Sequence, residues 1–279
     1  MRIYKKNIGH YVMLSFEINE MNIPFTGQIV VKEDNPVVRE VILERAEKID
    51  RWLQLVNQIF SPYRRDSELV SFQNQSLRLA STSKFFQEIF VLSAWASDIT
   101  SGLFSAAFAG KYDPTGIVKG WAIQKAEKTY LESLLSDPTF VAVNLNGGGD
   151  MQFSTSPNTD WRWQIGIVDP FDSKKVVNHF SMKKGAVATS GTSRRGAHLF
   201  DSATKQAVLG RDSNIISASI IGSELIYVDI WATAIATTTV HDHDWLKSLS
   251  GSGLRISYNG TAERWIDHQL IDQRNLTHA

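Results

Sequence analysis

From Phe140 onward the chain is cut into short apolar runs separated by turn residues, and this spacing restricts its folding more than any other feature. The runs FVAVNL, MQF, WQIGIV, VVNHFSM, GAVATS, AHLFD and IISASII are of strand length, with Gly, Asn, Asp and Ser between them. Runs this short bury their apolar side chains by pairing, and short connections pair neighbours in opposite directions, so a largely antiparallel sheet is predicted. A helix over 224–239 interrupts the series before a closing hairpin-like pair, LRISYN and ERWIDH.

The first half has a different period. Residues 11–18 and 26–32 read as two strands around a turn near Asn22 to Pro24. Val38, Val41, Ile42, Ile49, Leu53, Val56 and Phe60 then fall at helical spacing just after Pro36, a residue suited to a first helical turn. SPYRRDSELVSFQN breaks that pattern as a surface loop and re-enters a short helix near Ser67, with Glu68 in its first turn. Two more apolar helices are predicted over 83–99 and 119–135, the second with Ala122, Ile123, Ala126, Tyr130 and Leu134 on its inner stripe. With no linker and no short-period repeat, the expectation is an α+β body of mixed antiparallel sheets packed with helices, a single domain over 1–279.

Charge and cysteine content narrow the function classes. Lys plus Arg and Asp plus Glu each total 29, so no overall basic field recruits nucleic acid or an anionic membrane. The absence of cysteine excludes disulfides, thiolate metal sites, cysteine nucleophiles and lipid-modified cysteine within this sequence. No apolar run is long enough to span a bilayer, and MRIYKKNIGHYVML has no signal-peptide core, so a cytoplasmic location is expected unless a leader has been removed.

Several short segments carry chemistry. In YDPTGIVKGW, Asp113, Gly116 and Lys119 stand at a loop-to-helix junction, where free N–H groups, a closely approachable backbone and an ammonium suit a phosphate with a divalent ion; an ordinary capped helix has the same pattern. Asp229 and Thr233, four apart in YVDIWATA, lie on one helix face, either converging on a hard cation or serving the macrodipole and a back-bond. The glycines at 147–149 bring backbone amides to a ligand or simply make a turn, and they lack dinucleotide or P-loop spacing. His198, after the small residues of GTSRRGA, is a catalytic candidate or a strand-edge histidine, whereas His241-Asp242-His243-Asp244 reads as an exposed loop.

The order of these segments resembles the ApbE-like family of FAD:protein FMN transferases. YVMLSF resembles its Met-Gly-Thr opening, SPYRRDSELVSFQN its Tyr-Arg-x-Asp-Ser-Glu-Leu motif and SGLF its Gly-x-Phe-Asp stretch. YDPTGIVKGWAIQKA, NLNGGGD, VATSGTSRRGAHLFD and YVDIWATA resemble its lysine-glycine, Gly-Gly-Asp, Thr-Ser-Gly with His, and metal-helix motifs. The resemblance implies a T-fold-like α+β body and Mg²⁺-dependent transfer of FMN from FAD to a Ser or Thr hydroxyl of a client flavoprotein, releasing AMP. It implies that Met13 and Tyr63 flank the flavin, that Leu103, Phe104 and Ser105 line the FAD pocket and that Asp113 and Lys119 contact the nucleotide. The metal would be held by the Gly116 carbonyl, Asp229 and Thr233, and His198 would take the acceptor proton.

The chain departs from the family pattern at Leu14 and Ser15, which replace Gly-Thr, at Ser105, where Asp is common, at Gln124, and in DSATKQAV after His198. The same site in a different use would be an FAD pyrophosphatase giving FMN and AMP, or a noncatalytic flavin-binding protein.

Overall fold

The computed structural model describes residues 1–107, 110–191 and 214–276. Strands β1 (Tyr4–Ile8), β2 (Tyr11–Glu20) and β3 (Ile23–Val31) open the chain and are followed by helices α1 (Pro36–Phe60), α2 (Glu68–Gln73), α3 (Lys84–Ile99) and α4 (Thr115–Ala126). Then come β4 (Phe140–Gly147), β5 (Asp150–Thr155), β6 (Trp163–Val168), β7 (Val176–Met182), β8 (Gly185–Ser190) and β9 (Ile215–Gly222). Helix α5 (Leu225–Ala236) precedes β10 (Ser252–Ser257), β11 (Thr261–Ile266) and β12 (Gln269–Asn275).

Ten strands form one sheet in the order β1-β2-β3-β4-β5-β8-β9-β10-β11-β12, every neighbour antiparallel, and β6 and β7 pair apart from it. The predicted antiparallel sheet and α+β class are therefore present. The turn between β2 and β3 lies at Met21 and Asn22, with φ of 51° and 59°, and Pro24 is inside β3 rather than in the turn. β1 and β12 were not expected from the sequence, because both are edge strands exposed along most of their length and show no apolar alternation.

Helices α1, α2 and α3 start where a local side chain supplies a cap. Asn35 Oδ1 accepts from Val38 N at 3.0 Å ahead of Pro36, Ser67 Oγ accepts from Val70 N, and Ser83 Oγ accepts from Phe86 N. Helix α4 begins at Thr115, earlier than the predicted 119, because Asp113 Oδ1 takes the Thr115 N–H at 2.9 Å. Beyond Ala126 the predicted single helix becomes a π turn, Glu127–Leu131, and a 3₁₀ turn, Glu132–Ser136.

Two apolar layers sandwich the sheet. On one face α1, α4 and α5 bury Phe16, Ile29, Val143, Ile220 and Trp231, and Trp52 Nε1 donates to the Ala122 carbonyl at 3.0 Å to lock α1 on α4. On the other, Trp163, Ile165 and Ile167 of β6 cover Val30, Phe153, Val187 and Leu254. No helix among the described residues is long and apolar enough to cross a membrane.

Candidate functional site

Helices α4 and α5 pack against each other closely enough to place their polar residues in register. Asp229, 2% exposed, accepts the Gly120 N–H on Oδ2 at 3.0 Å. A Cβ on residue 120 would stand 2.6 Å from that oxygen, so the close approach requires glycine. One turn away, a Cβ on Gly116 would lie 4.0 Å from Thr233 Cγ2 and 3.2 Å from the Phe104 ring. Thus 116 faces 233 and 120 faces 229, two rungs of an antiparallel helix pair. In a regular helix the Gly120 amide is aimed at the Gly116 carbonyl, so that carbonyl and the Asp229 carboxylate approach one N–H. Thr233 Oγ1 is 3.2 Å from Ser190 Oγ, at the end of β8.

The neighbouring residue Lys119 is ion-paired through Nζ with Asp150 Oδ2. Asp150 is 1% exposed, and its Oδ1 accepts the Thr189 N–H at 3.0 Å. The glycine run makes this possible: Gly148 and Gly149 turn at φ of 64° and 104°, Asn146 Oδ1 holds the Gly149 N–H at 3.1 Å, and the next residue is Asp150. From the sequence the glycines read as a turn or as a place where backbone amides meet a ligand. Asp150, which sequence reasoning gave no role, is what the turn delivers.

The other candidates divide between this place and elsewhere. Phe104 is buried against Gly116, with its N–H on Thr100 Oγ1 at 3.0 Å, and Leu103 packs on the same core. Ser105 Oγ accepts from Ala107 N at 3.2 Å, and Asp113 caps α4 as described. The segment before α4 is fixed by Tyr112, whose carbonyl accepts from Gln73 Nε2 at 2.7 Å and whose hydroxyl, 3.2 Å from Ser93 Oγ, is pushed up to about 12 by burial. Tyr63, 82% exposed, lies on the loop between α1 and α2. Met13 packs on the β6 side of the sheet, the face opposite the helices and so away from Lys119. His198 lies outside the described residues.

Two of the departures acquire a physical reason. Gln124 Oε1 accepts the Ile226 N–H at 2.9 Å while its Nε2 donates to Glu224, and Gln152 Oε1 accepts the Leu225 N–H at 2.8 Å. The start of α5 is therefore capped by two amide side chains from α4 and β5, which fixes the axial position of Asp229 and Thr233. Leu14 is fully buried in the helix-side core.

The donors gathered here are all oxygens: the Asp229 carboxylate, the Gly116 carbonyl and the hydroxyls of Thr233 and Ser190. No group of three or more His, Asp or Glu stands together among the described residues, so this set has one carboxylate at its centre. That composition fits Mg²⁺, a hard ion bound through one or two carboxylates while waters and phosphate oxygens complete its shell.

The fold of this chain is that of solved ApbE proteins. Flavin transferase ApbE from Vibrio cholerae superposes with a TM-score of 0.69 at 15% identity, covering 92% of this chain and 98% of that one. The ApbE protein of Thermotoga maritima gives 0.71 at 18%, over 94% and 97%, and apo flavinyl transferase ApbE from Pseudomonas stutzeri 0.66 at 16%, over 94% of each. No curated protein matches the sequence. The sequence model of the ApbE family matches residues 109–253, which include Gly116, Lys119, Asp150, Asp229 and Thr233, and the chain belongs to that family.

Proposed function

We propose that this chain transfers FMN from FAD to a Ser or Thr hydroxyl of a client flavoprotein in a Mg²⁺-dependent reaction. The observation that carries the reading is the joining of two devices within five residues of α4: Lys119 held by Asp150, and Gly116 and Gly120 facing Thr233 and Asp229. A plain structural contact between helices has no use for a largely covered ammonium paired with a buried carboxylate next to a second buried carboxylate. Phosphoryl transfer does, because most of its catalysis is placement and charge neutralisation.

In this reading the acceptor oxygen bonds to the FMN phosphorus of the pyrophosphate, the bond from that phosphorus to the bridging oxygen breaks, and AMP leaves. Lys119 balances charge on the phosphates, and Asp150 keeps the ammonium aimed by fixing Nζ against a rigid strand start. Gly116, Asp229 and Thr233 would hold Mg²⁺, which when bound neutralises phosphate oxygens. Asp113, at the entry to α4, would meet the nucleotide, Phe104 would back the pocket, and exposed Tyr63 would offer a ring face to the flavin. His198 would accept the hydroxyl proton.

The test is incubation with FAD and Mg²⁺, with and without a Ser- or Thr-bearing flavoprotein peptide, following AMP release and peptide mass. A peptide gaining one FMN supports transfer. AMP and free FMN with an unmodified peptide replace the reading with hydrolysis, and intact FAD replaces it with carriage.

A further inference from the structure

Hydroxyls in and beside the helices of this chain have a habitual partner. Ser93 Oγ and Thr100 Oγ1 donate to the carbonyls of Ile89 and Ala96, four residues back, and Thr237 Oγ1 and Thr238 Oγ1 to those of Ala234 and Ile235, three back, each at 2.7 Å. Thr233, inside α5, is turned the other way: its Oγ1 meets Ser190 Oγ of β8 at 3.2 Å. A β-branched side chain on a helix has few rotamers, and here the choice is set from two sides. The methyl Cγ2 faces α4, 4.0 Å from where a Cβ on Gly116 would stand, while the hydroxyl faces β8.

The place of Ser190 is set as firmly. It is the last residue of β8, opposite Ala218 of β9, and the preceding Thr189 gives its N–H to Asp150 Oδ1 at 3.0 Å and pairs its hydroxyl with Ser219 Oγ at 2.8 Å. The next residue, Gly191, passes so near β9 that a Cβ there would run into the Ile216 carbonyl oxygen. Thr189-Ser190-Gly191 thus serves both halves of the site: the Thr189 amide holds the partner of Lys119, and the Ser190 hydroxyl meets Thr233.

We propose that Ser190 is a positioning residue for the cation site: its Oγ accepts the Thr233 hydroxyl proton, which turns the Thr233 lone pairs toward the ion, and Ser190 does not itself bind the ion. The inference rests on the reading above, in which Gly116, Asp229 and Thr233 hold Mg²⁺. A neutral hydroxyl binds a cation only through its oxygen lone pairs, so its proton must point elsewhere, and it becomes a stronger donor as the ion draws on the oxygen. Were Thr233 bonded back to its own helix, as the other four hydroxyls are, the oxygen would turn along α5 and away from β8.

A double-mutant cycle on Mn²⁺ binding to the full chain tests this, with Mn²⁺ as an octahedral, oxygen-seeking stand-in for Mg²⁺ that is counted by its spin resonance with no FAD present. Ser190→Ala should weaken Mn²⁺ binding about tenfold, the low end of what is lost with an outer partner of a metal ligand. In a Thr233→Val background, which has no hydroxyl to orient, the same change should alter affinity by less than about twofold. That dependence on Thr233 separates orientation of the ligand from a general effect on the fold. A loss that persists undiminished in the Thr233→Val background makes Ser190 act independently of Thr233 and overturns the proposal. So does a Ser190→Ala chain that binds Mn²⁺ as the wild type does while Thr233→Val binds it weakly, an outcome that leaves the reading of the ion's holders standing. A wild type with no Mn²⁺ site overturns that reading, and the proposal with it.

Discussion

The backbone N–H of Gly120 donates to Asp229 Oδ2 at 3.0 Å, and a Cβ on residue 120 would stand 2.6 Å from the same oxygen. The glycine that lets α4 approach α5 is therefore also the residue that orients the carboxylate. Gly120→Ala gains up to about 1 kcal/mol of helix propensity but forces an overpacked contact costing about 1–3 kcal/mol. Net stability should fall by no more than about 2 kcal/mol by these terms. Turnover of FAD should fall far more, by about a hundredfold, because the carboxylate must move by a sizeable fraction of an ångström. Denaturant unfolding and AMP release measure the two effects, and turnover within twofold of wild type would mean that Asp229 does not act from this position.

The Lys119–Asp150 pair predicts a different pattern. Lys119 is 12% and Asp150 1% exposed, so Lys119→Ala leaves a buried carboxylate without its cation, a loss of about 3–5 kcal/mol. Lys119→Met with Asp150→Asn removes both charges while keeping an acceptor for the Thr189 N–H, and should recover most of that stability. Activity should not return with it, since the ammonium is gone. A double variant that folds and turns over FAD normally would assign the pair to packing alone.

Arg255 serves as a contrast away from α4. It is 1% exposed, donates from Nε to Glu263 Oε2 at 2.6 Å, and closes the segment after α5 through Thr238, Thr239, Val240 and Asp242. Burial lowers its pKa, opposed by Glu263. Glu263→Ala should cost about 3–5 kcal/mol in unfolding free energy, with activity per folded molecule kept near wild type. Loss of activity well below the unfolding temperature would show that this segment bears on α5 and its Asp229.

How much of this was readable in the sequence depended on whether the signal was local. Pro36 and Ser67 announced their helices because the start of a helix is signalled within a few residues. The i,i+4 pair Asp229 and Thr233 and the spacing from Gly116 to Lys119 placed four of the site's groups, since a helix converts spacing into direction. The partners across space were not readable: Asp150 reaches Lys119 from β5, Ser190 reaches Thr233 from β8, and Gln124 with Gln152 caps α5 from two other elements. The edge strands were missed for the opposite reason. A strand with both faces in water has no hydrophobic period to read.

Glu127 offers a last prediction, in the π turn at the end of α4. Its carboxyl is fully buried, and burial pushes it up to about 8 from an ordinary value of 4.5; the Ser154 hydroxyl and the cations Lys184 and Lys128 oppose that rise, and Glu132 adds to it. Lys184 and Lys128 are themselves engaged by Glu132 and Glu224, both at 2.5 Å. The folded chain therefore holds a proton that the unfolded chain gives up near pH 4.5. The associated stability is fully present below that pH and is lost as pH rises through about 8, a span of order 5 kcal/mol. Glu127→Gln keeps the shape and cannot ionise, so its unfolding free energy should be nearly level between pH 5 and 8 and exceed that of wild type increasingly toward pH 8. Urea unfolding of both proteins across that range reads the difference directly. Parallel pH profiles would mean that Glu127 is ionised in the fold, with its charge met by Lys184 or Lys128 after all.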